Sequence, residues 1–223
     1  MYVGTVMYTE LVTVSPGTSL AEAQSLLDRK QINHLLVVDD QKELLGIVSD
    51  RDLKRHWASA ATTLSRNELN YLLDRITVAS IMTKKTLTVS LGTTIERAAR
   101  IMQINRINAL PVFDDDQLAG IITSRDVMKV LLEAIGMEDE SARLTILVRD
   151  RKGVIAQVTG LLRDQDINIR SFFAWPEKAH PGVYHLVMRL PPDVKQKAVD
   201  ALTAEGFKVL TQFVKDLTPY LPE

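Results

Sequence analysis

The sequence of 223 residues contains no cysteine, which excludes disulfide bonds and thiolate chemistry and favours a reducing compartment. It has no excess of positive charge either. The formal net charge is −1, whereas general nucleic-acid binding usually rests on a basic surface. No apolar run approaches the roughly 18 residues of a membrane span, and the N-terminus lacks the basic-then-apolar order of a signal peptide. We therefore expect a cytoplasmic protein that binds neither nucleic acid nor membrane.

The common catalytic motifs are also missing. There is no G-x-S-x-G, P-loop or G-x-G-x-x-G, and the four histidines show no HxH or HExxH spacing. Nothing in the sequence places a nucleophile beside a base. The sequence therefore predicts a non-catalytic protein with no metal site and no tightly held cofactor, with an unrecognised enzyme as one alternative.

An internal repeat dominates the first 135 residues. Two units of roughly fifty residues align at an offset of 75 (88 − 13), which falls to 74 (120 − 46) after a turn. The aligned pairs are "TVSPGTSLAEAQSLL" (13–27) with "TVSLGTTIERAARIM" (88–102), "INHLLVVDD" (32–40) with "INALPVFDD" (107–115), and "GIVSDRD" (46–52) with "GIITSRD" (120–126). Each copy is too small to bury a core that would make it stable alone, so we expect the two to pack as a pair.

Hydrophobic periodicity predicts β-α-β-β-α in each copy and β-α-β-β-α-β in the remainder. The fold class is therefore mixed α and β (α+β), with tandem repeats followed by a ferredoxin-like unit. In the ferredoxin-like unit the second strand is predicted over 167–175 and the fourth over 207–210. The predicted domains are repeat 1 (1–57), a helical connector (58–76), repeat 2 (77–137), a linker (138–142) and the last domain (143–223).

The repeated motif pairs a hydroxyl with a carboxylate where a strand ends and a helix begins: Ser49 with Asp52, and Thr123 with Asp126. A helix N-terminus has unpaired N–H groups and attracts anions such as phosphate. An ionised aspartate only accepts hydrogen bonds, which suits a vicinal diol such as a ribose. This pattern is compatible with a nucleotide site in each repeat.

The same pattern has a purely structural interpretation. Ser/Thr-x-x-Asp is close to a helix capping box, which needs no ligand. The two interpretations are compatible, because a capping residue can also hold a ligand. In the ligand interpretation, Gly46 and Gly120 let the backbone approach the bound molecule.

On these motifs both copies resemble CBS domains, and the pair resembles a Bateman module over about residues 6–132 without the connector. The resemblance implies adenosine-containing regulatory ligands such as AMP, ATP or S-adenosylmethionine, bound in two sites between the repeats. The residues that it assigns to the ribose or phosphate are Ser49, Asp52, Thr123 and Asp126, with Asn33 and Asn108 toward the phosphates and Arg51 and Arg125 as supplementary charges.

The last unit resembles an ACT domain, on "VRDRKGVIAQVTGLL" (148–162) and "QDINIRS" (165–171). The resemblance implies that Gly153 and Asn168 contact an amino acid or other small metabolite at a subunit interface. It therefore implies a homodimer or higher homo-oligomer. Lys152 stands where many members have proline, and a unit used only for dimerisation is the alternative. An RNA-recognition fold is excluded, since its central strands would need aromatic residues.

The order CBS–CBS–ACT resembles stand-alone bacterial proteins labelled acetoin-utilisation accessory proteins. The resulting hypothesis is a regulatory protein that senses an adenosine-containing ligand in its repeats and a second metabolite, or a partner subunit, in its last domain. A structural dimerisation module without a ligand is the main alternative. The sequence does not identify the enzyme or transporter under control.

Overall fold

The computed structural model describes residues 1–56, 75–137 and 140–222. The chain divides into two compact units, Met1–Met128 and Lys129–Glu223. The predicted connector, apart from its last two residues, and positions 138–139 of the predicted linker lie outside the described residues.

The first repeat forms the predicted β-α-β-β-α order. Its first helix begins after Ser19, whose side-chain oxygen accepts a hydrogen bond from the Glu22 N–H at 3.2 Å. The helix ends at Gln31, which adopts a left-handed conformation with φ 53°. The elements are β1 (Thr13–Val14), α1 (Leu20–Lys30), β2 (His34–Val38), β3 (Leu44–Ser49) and α2 (Asp50–His56).

The second repeat reproduces these features at the corresponding positions. Thr94 caps its first helix by accepting from the Arg97 N–H at 3.3 Å, and Arg106 ends that helix with φ 55°. The elements are β4 (Val89–Ser90), α3 (Ile95–Asn105), β5 (Ala109–Asp114), β6 (Gln117–Thr123) and α4 (Ser124–Ala134).

Each repeat carries a three-stranded sheet of mixed direction. The first strand runs parallel to the second, and the second pairs antiparallel with the third. In the first repeat the central strand β2 supplies Leu35 and Val37, both fully buried against α1. Leu36, on the opposite face of the same strand, is 1% exposed, so the centre of this sheet is buried on both faces.

The two repeats are interlocked by their leading segments, which cross over. The first segment of the chain pairs with the second repeat, since Tyr8 and Ile121 exchange backbone hydrogen bonds at 2.9 and 3.0 Å. The segment before β4 pairs with the first repeat through Thr83 and Ile47, at 2.9 and 3.1 Å. Each leading segment therefore pairs with the sheet of the other repeat, and the two copies are interlocked rather than merely adjacent.

This crossing explains the glycine of the repeated motif. A Cβ on Gly46 would lie 2.7 Å from the carbonyl oxygen of Thr83, and one on Gly120 would lie 2.5 Å from the sulfur of Met7. Both glycines are buried. We expected each glycine to let the protein backbone approach a ligand. The space beside it is instead occupied by the leading segment of the other repeat.

The second unit is a ferredoxin-like fold with a four-stranded antiparallel sheet, whose strands lie in the order β10 (Val209–Leu210), β7 (Ala142–Arg149), β9 (Val183–Leu190) and β8 (Ser171–Pro176). Its helices pack on one face, where the alternate residues Leu144, Ile146 and Val148 of β7 are buried. The elements are β7 (Ala142–Arg149), α5 (Val154–Asp164), β8 (Ser171–Pro176), β9 (Val183–Leu190), α6 (Lys195–Ala204) and β10 (Val209–Leu210). The second and fourth strands are shorter than predicted: β8 begins at 171 instead of 167, and β10 begins at 209 instead of 207.

The opposite face of this sheet is partly covered by the chain that follows β10, which the sequence did not predict. Leu147, Val183 and Leu210 are buried there against apolar residues of that tail: Val214, Leu217, Tyr220 and Leu221. Among the described residues, no helix has the length and apolar character needed to traverse a lipid bilayer.

Candidate functional site

The first copy of the motif forms a reciprocal capping box at the start of α2. The Oδ2 atom of Asp52 accepts from the Ser49 backbone N–H at 2.9 Å and from the Ser49 hydroxyl at 2.5 Å. In return the Asp52 N–H donates to the Ser49 Oγ at 3.3 Å. The capping interpretation of the sequence therefore describes the local geometry.

The second copy is built in the same way. Asp126 Oδ2 accepts from the Thr123 N–H at 2.8 Å and from the Thr123 hydroxyl at 2.7 Å, and the Asp126 N–H lies 3.4 Å from Thr123 Oγ1. In both copies Oδ1 has no hydrogen bond to any described residue. One carboxylate oxygen thus holds the helix terminus, while the other remains able to accept from a hydroxyl.

Both capping boxes open onto one cleft of about 870 Å³ in the first unit. This volume falls within the range of small-molecule and cofactor sites. All eight residues that the sequence assigned to the adenosyl site line this cleft: Asn33, Ser49, Arg51, Asp52, Asn108, Thr123, Arg125 and Asp126. The structure therefore brings together residues that are separated by more than seventy positions in the sequence.

Backbone hydrogen bonds position the two asparagines. The Asn33 carbonyl accepts from the Asp50 N–H at 3.0 Å, and the Asn108 carbonyl accepts from the Ser124 N–H at 2.9 Å. The residue before the central strand is therefore hydrogen-bonded to the first residue of the second helix in the same repeat, α2 or α4. The side chains of Asn33 and Asn108 are exposed in the cleft.

The cleft has a small excess of positive charge, which favours an anionic ligand. Five cationic side chains line it against four carboxylates, and one of those carboxylates, Asp50, forms an ion pair with Lys54 at 2.8 Å. The cationic residues are Lys30, Arg51, Arg55, Arg106 and Arg125. Apolar walls come from both repeats, mainly Leu11, Val12, Ile32, Leu36, Ile107 and Ile121.

Four residues of the first leading segment also line the cleft and were not assigned from the sequence: Tyr8, Glu10, Leu11 and Val12. The Tyr8 hydroxyl donates to Glu10 at 3.2 Å, and this hydrogen bond to a carboxylate raises the pKa of Tyr8. The available signal was the repeat itself, because Met7 and Met82 match at the same offset of 75 (82 − 7). That match indicated that the repeat begins before the first strand.

A histidine, His34, is a further lining residue outside the predicted set. It begins β2 and lies directly opposite Ser49 in the antiparallel pairing with β3. Burial lowers its pKa, the Asp52 carboxylate acts in the opposite direction, and Arg51 adds to the lowering. This lowering of the pKa favours the neutral form of the imidazole at pH 7.

The two residues predicted for the ACT unit lie at opposite ends of one helix. Gly153 precedes α5 with φ 83°, a conformation that favours glycine. Asn168 is exposed in the coil after the helix and before β8, so it lies outside the observed strand, although the sequence predicted it within the second strand. An 11-residue helix spans about 16 Å. Within one chain these two residues therefore do not share a single contact point.

Within residues 1–56, 75–137 and 140–222, the histidines and carboxylates form no group of three that could hold a metal ion. The chemistry available in the cleft is hydrogen bonding, charge and apolar contact. Such a site is suited to reversible binding of a polar ligand with a flat or apolar portion.

A pair of interlocked β-α-β-β-α repeats with a shared cleft, followed by a ferredoxin-like unit, defines a modular protein whose first two modules form a candidate ligand site together. Comparison with known families agrees with this architecture. The CBS domain model matches residues 3–59 and 78–133, and the ACT domain model matches residues 142–201. The chain belongs to the CBS domain family, as a CBS pair followed by an ACT domain.

Among solved structures, a protein described as an acetoin utilization protein (AcuB) from Vibrio cholerae is 29% identical, with a TM-score of 0.50 over 63% of this chain and 98% of its own. A protein described as a signal-transduction protein with CBS domains, from Burkholderia ambifaria, is 25% identical, with a TM-score of 0.52 over 60% of this chain and 95% of its own.

Among curated relatives, inosine-5'-monophosphate dehydrogenase of Staphylococcus saprophyticus is 26% identical over 220 residues. That match covers 92% of this chain but only 40% of the enzyme. The chain therefore spans less than half the length of this relative.

Proposed function

We propose that this chain senses an adenosine-containing ligand of the AMP, ATP or S-adenosylmethionine class in the cleft of its CBS pair. The observation that carries the proposal is the repeated arrangement of a capping aspartate that lines the cleft and has one carboxylate oxygen not hydrogen-bonded to any described residue. Such an oxygen accepts from ribose hydroxyls, while the surrounding arginines provide charge for a phosphate or carboxylate. The ACT unit binds a second small metabolite or joins two subunits.

Regulation in this proposal depends on differential affinity. The ligand contacts α2 and α4 at their first turns, and it therefore favours the arrangement of the repeats in which both helix starts face the cleft. A ligand shifts such an equilibrium only by its difference in affinity between the two states, typically about 1–3 kcal/mol. The chain itself performs no chemistry in this proposal.

The test separates ligand binding from helix capping. Asp52→Ala and Asp126→Ala remove both functions, and Ser19→Ala and Thr94→Ala remove caps of comparable strength outside the cleft. All four variants should lose about 1 kcal/mol of unfolding free energy. Only the aspartate variants should also weaken ligand binding, by roughly 10- to 100-fold for hydrogen bonds to a charged group.

The measurement is calorimetric titration with AMP, ATP and S-adenosylmethionine, together with a thermal-shift panel, since ligands that bind the native state raise its melting temperature. Equal effects of the aspartate variants and the cap controls on ligand affinity would contradict the proposal. The structural alternative has its own supporting observation, namely the complete capping boxes. It predicts that no adenine compound binds the wild-type protein.

A further inference from the structure

The two repeats present different side chains at one equivalent position of the cleft. His34 and Ala109 both begin the central strand of their repeat, and they correspond at the offset of 75 (109 − 34). His34 lies opposite Ser49, and Ala109 lies opposite Thr123. Directly opposed residues of an antiparallel pair point to the same face with neighbouring Cβ atoms. An imidazole thus stands beside the first capping box, and only a methyl group stands beside the second.

His34 has polar capacity that the described residues do not use. It lines the cleft and is half-buried, and no described residue forms a hydrogen bond with either ring nitrogen. The neutral ring carries one donor and one acceptor. A ligand that covers the ring removes it from water, and it therefore binds more tightly if it supplies a hydrogen-bond partner than if it leaves the ring unpaired.

The chemistry of this position favours the nucleoside over the phosphate. A phosphate is served better by the permanently charged guanidinium groups of Arg51 and Arg125, which line the same cleft. A neutral imidazole matches groups that both donate and accept, such as ribose hydroxyls and the edge of adenine.

We propose that His34 is a specificity-determining residue of the cleft, which hydrogen-bonds the nucleoside portion of the ligand and makes the first repeat's contribution differ from that of the second. This inference rests on the proposed function and deepens it. It assigns a role to a side chain that helix capping does not use, and it predicts that the two halves of the cleft contribute unequally to binding.

The test compares AMP with 5'-methylthioadenosine, which share the adenosine portion but differ in the phosphate. Affinities are measured by calorimetry at pH 7.5 for the wild type, His34→Ala and His34→Gln. His180→Ala, in the second unit, is the matched control. We expect His34→Ala to weaken both ligands by a similar factor of roughly 3- to 10-fold. We expect His34→Gln to recover most of the loss, and His180→Ala to bind like the wild type.

Two results would overturn the inference alone: unchanged affinity of His34→Ala for both ligands, or a loss confined to AMP, which would place the contact at the phosphate. Failure of the wild type to bind either ligand would overturn the proposed function and this inference with it. Should His34→Ala unfold, His34→Met keeps comparable volume without ring nitrogens, and the same expectations apply to it.

Discussion

The exchange of leading segments between the repeats makes a quantitative prediction at the motif glycines. Replacing Gly46 by alanine places a methyl group 2.7 Å from the Thr83 carbonyl oxygen, whereas ordinary contacts lie at 3.4–4 Å. That carbonyl accepts from the Ile47 N–H at 3.1 Å, and the Thr83 N–H donates to the Ile47 carbonyl at 2.9 Å. The crossing segment can relieve the clash only by weakening this pair of hydrogen bonds.

Gly120 provides an internal comparison. Its added methyl group would meet the Met7 sulfur at 2.5 Å and the Tyr8 carbonyl oxygen at 3.0 Å. Methionine is flexible and can rotate away, so the backbone contact here is the milder of the two. Overpacking of a buried site costs about 1–3 kcal/mol. We place Gly46→Ala near the upper end of that range and Gly120→Ala near the lower end.

The assay is thermal unfolding followed by calorimetry and far-UV circular dichroism. For a unit of this size, about 1–3 kcal/mol corresponds to a decrease in melting temperature of roughly 3–10 °C. Gly92→Ala is the control, because its added methyl group has no neighbour within 4 Å. We expect it to change stability by less than about 0.5 kcal/mol or to stabilise slightly. If Gly46→Ala is no more destabilising than Gly92→Ala, the crossing segment does not explain the motif glycine.

Two further predictions concern pH. Because burial lowers the folded-state pKa of His34 below its ordinary value of 6.5, the unfolded chain takes up a proton first as the pH falls. Wild-type stability should therefore decrease as the pH falls through 6.5 toward the lowered folded-state value, and a shallower slope for His34→Ala in thermal unfolding at pH 5–8 checks this. In the second unit, the Ala179 N–H and then His185 lower the pKa of Glu177. The stabilisation from this lowered pKa is present above the ordinary value of 4.5 and is lost as the pH falls through the lowered folded-state pKa. Glu177→Gln should therefore lose less stability than the wild type between pH 5 and 3. Equal losses in the two proteins would contradict this prediction.

Most elements of the fold follow from local sequence. Helix α1 extends from a capping serine to a left-handed residue, as periodicity and capping rules predict. The same rules locate α3 at the corresponding positions of the second repeat. The shortened strands β8 and β10 differ from prediction, because apolar residues before 171 and 209 contact the helices from coil rather than from the sheet. Local pattern reports burial, but it does not report which backbone groups are paired.

The residues of the candidate site were likewise predictable from the sequence only in part. The sequence identified Asp52 and Asp126 through their motif, and it left capping and ligand binding open, because one short pattern serves both. The structure shows how the carboxylate serves the first role with one oxygen only. Tyr8 and its neighbours carry no motif, so only the paired structure placed them beside the cleft.

The sequence by itself determined the duplication, the order of elements in each copy, and the hydroxyl–carboxylate pairs at two helix starts, since these depend on spacing along one chain. Only the tertiary structure decided that the two leading segments exchange partners, that the motif glycines accommodate those segments, and that eight dispersed residues share one cleft. Those features depend on contacts between groups far apart in sequence, and no local periodicity encodes the distance between them.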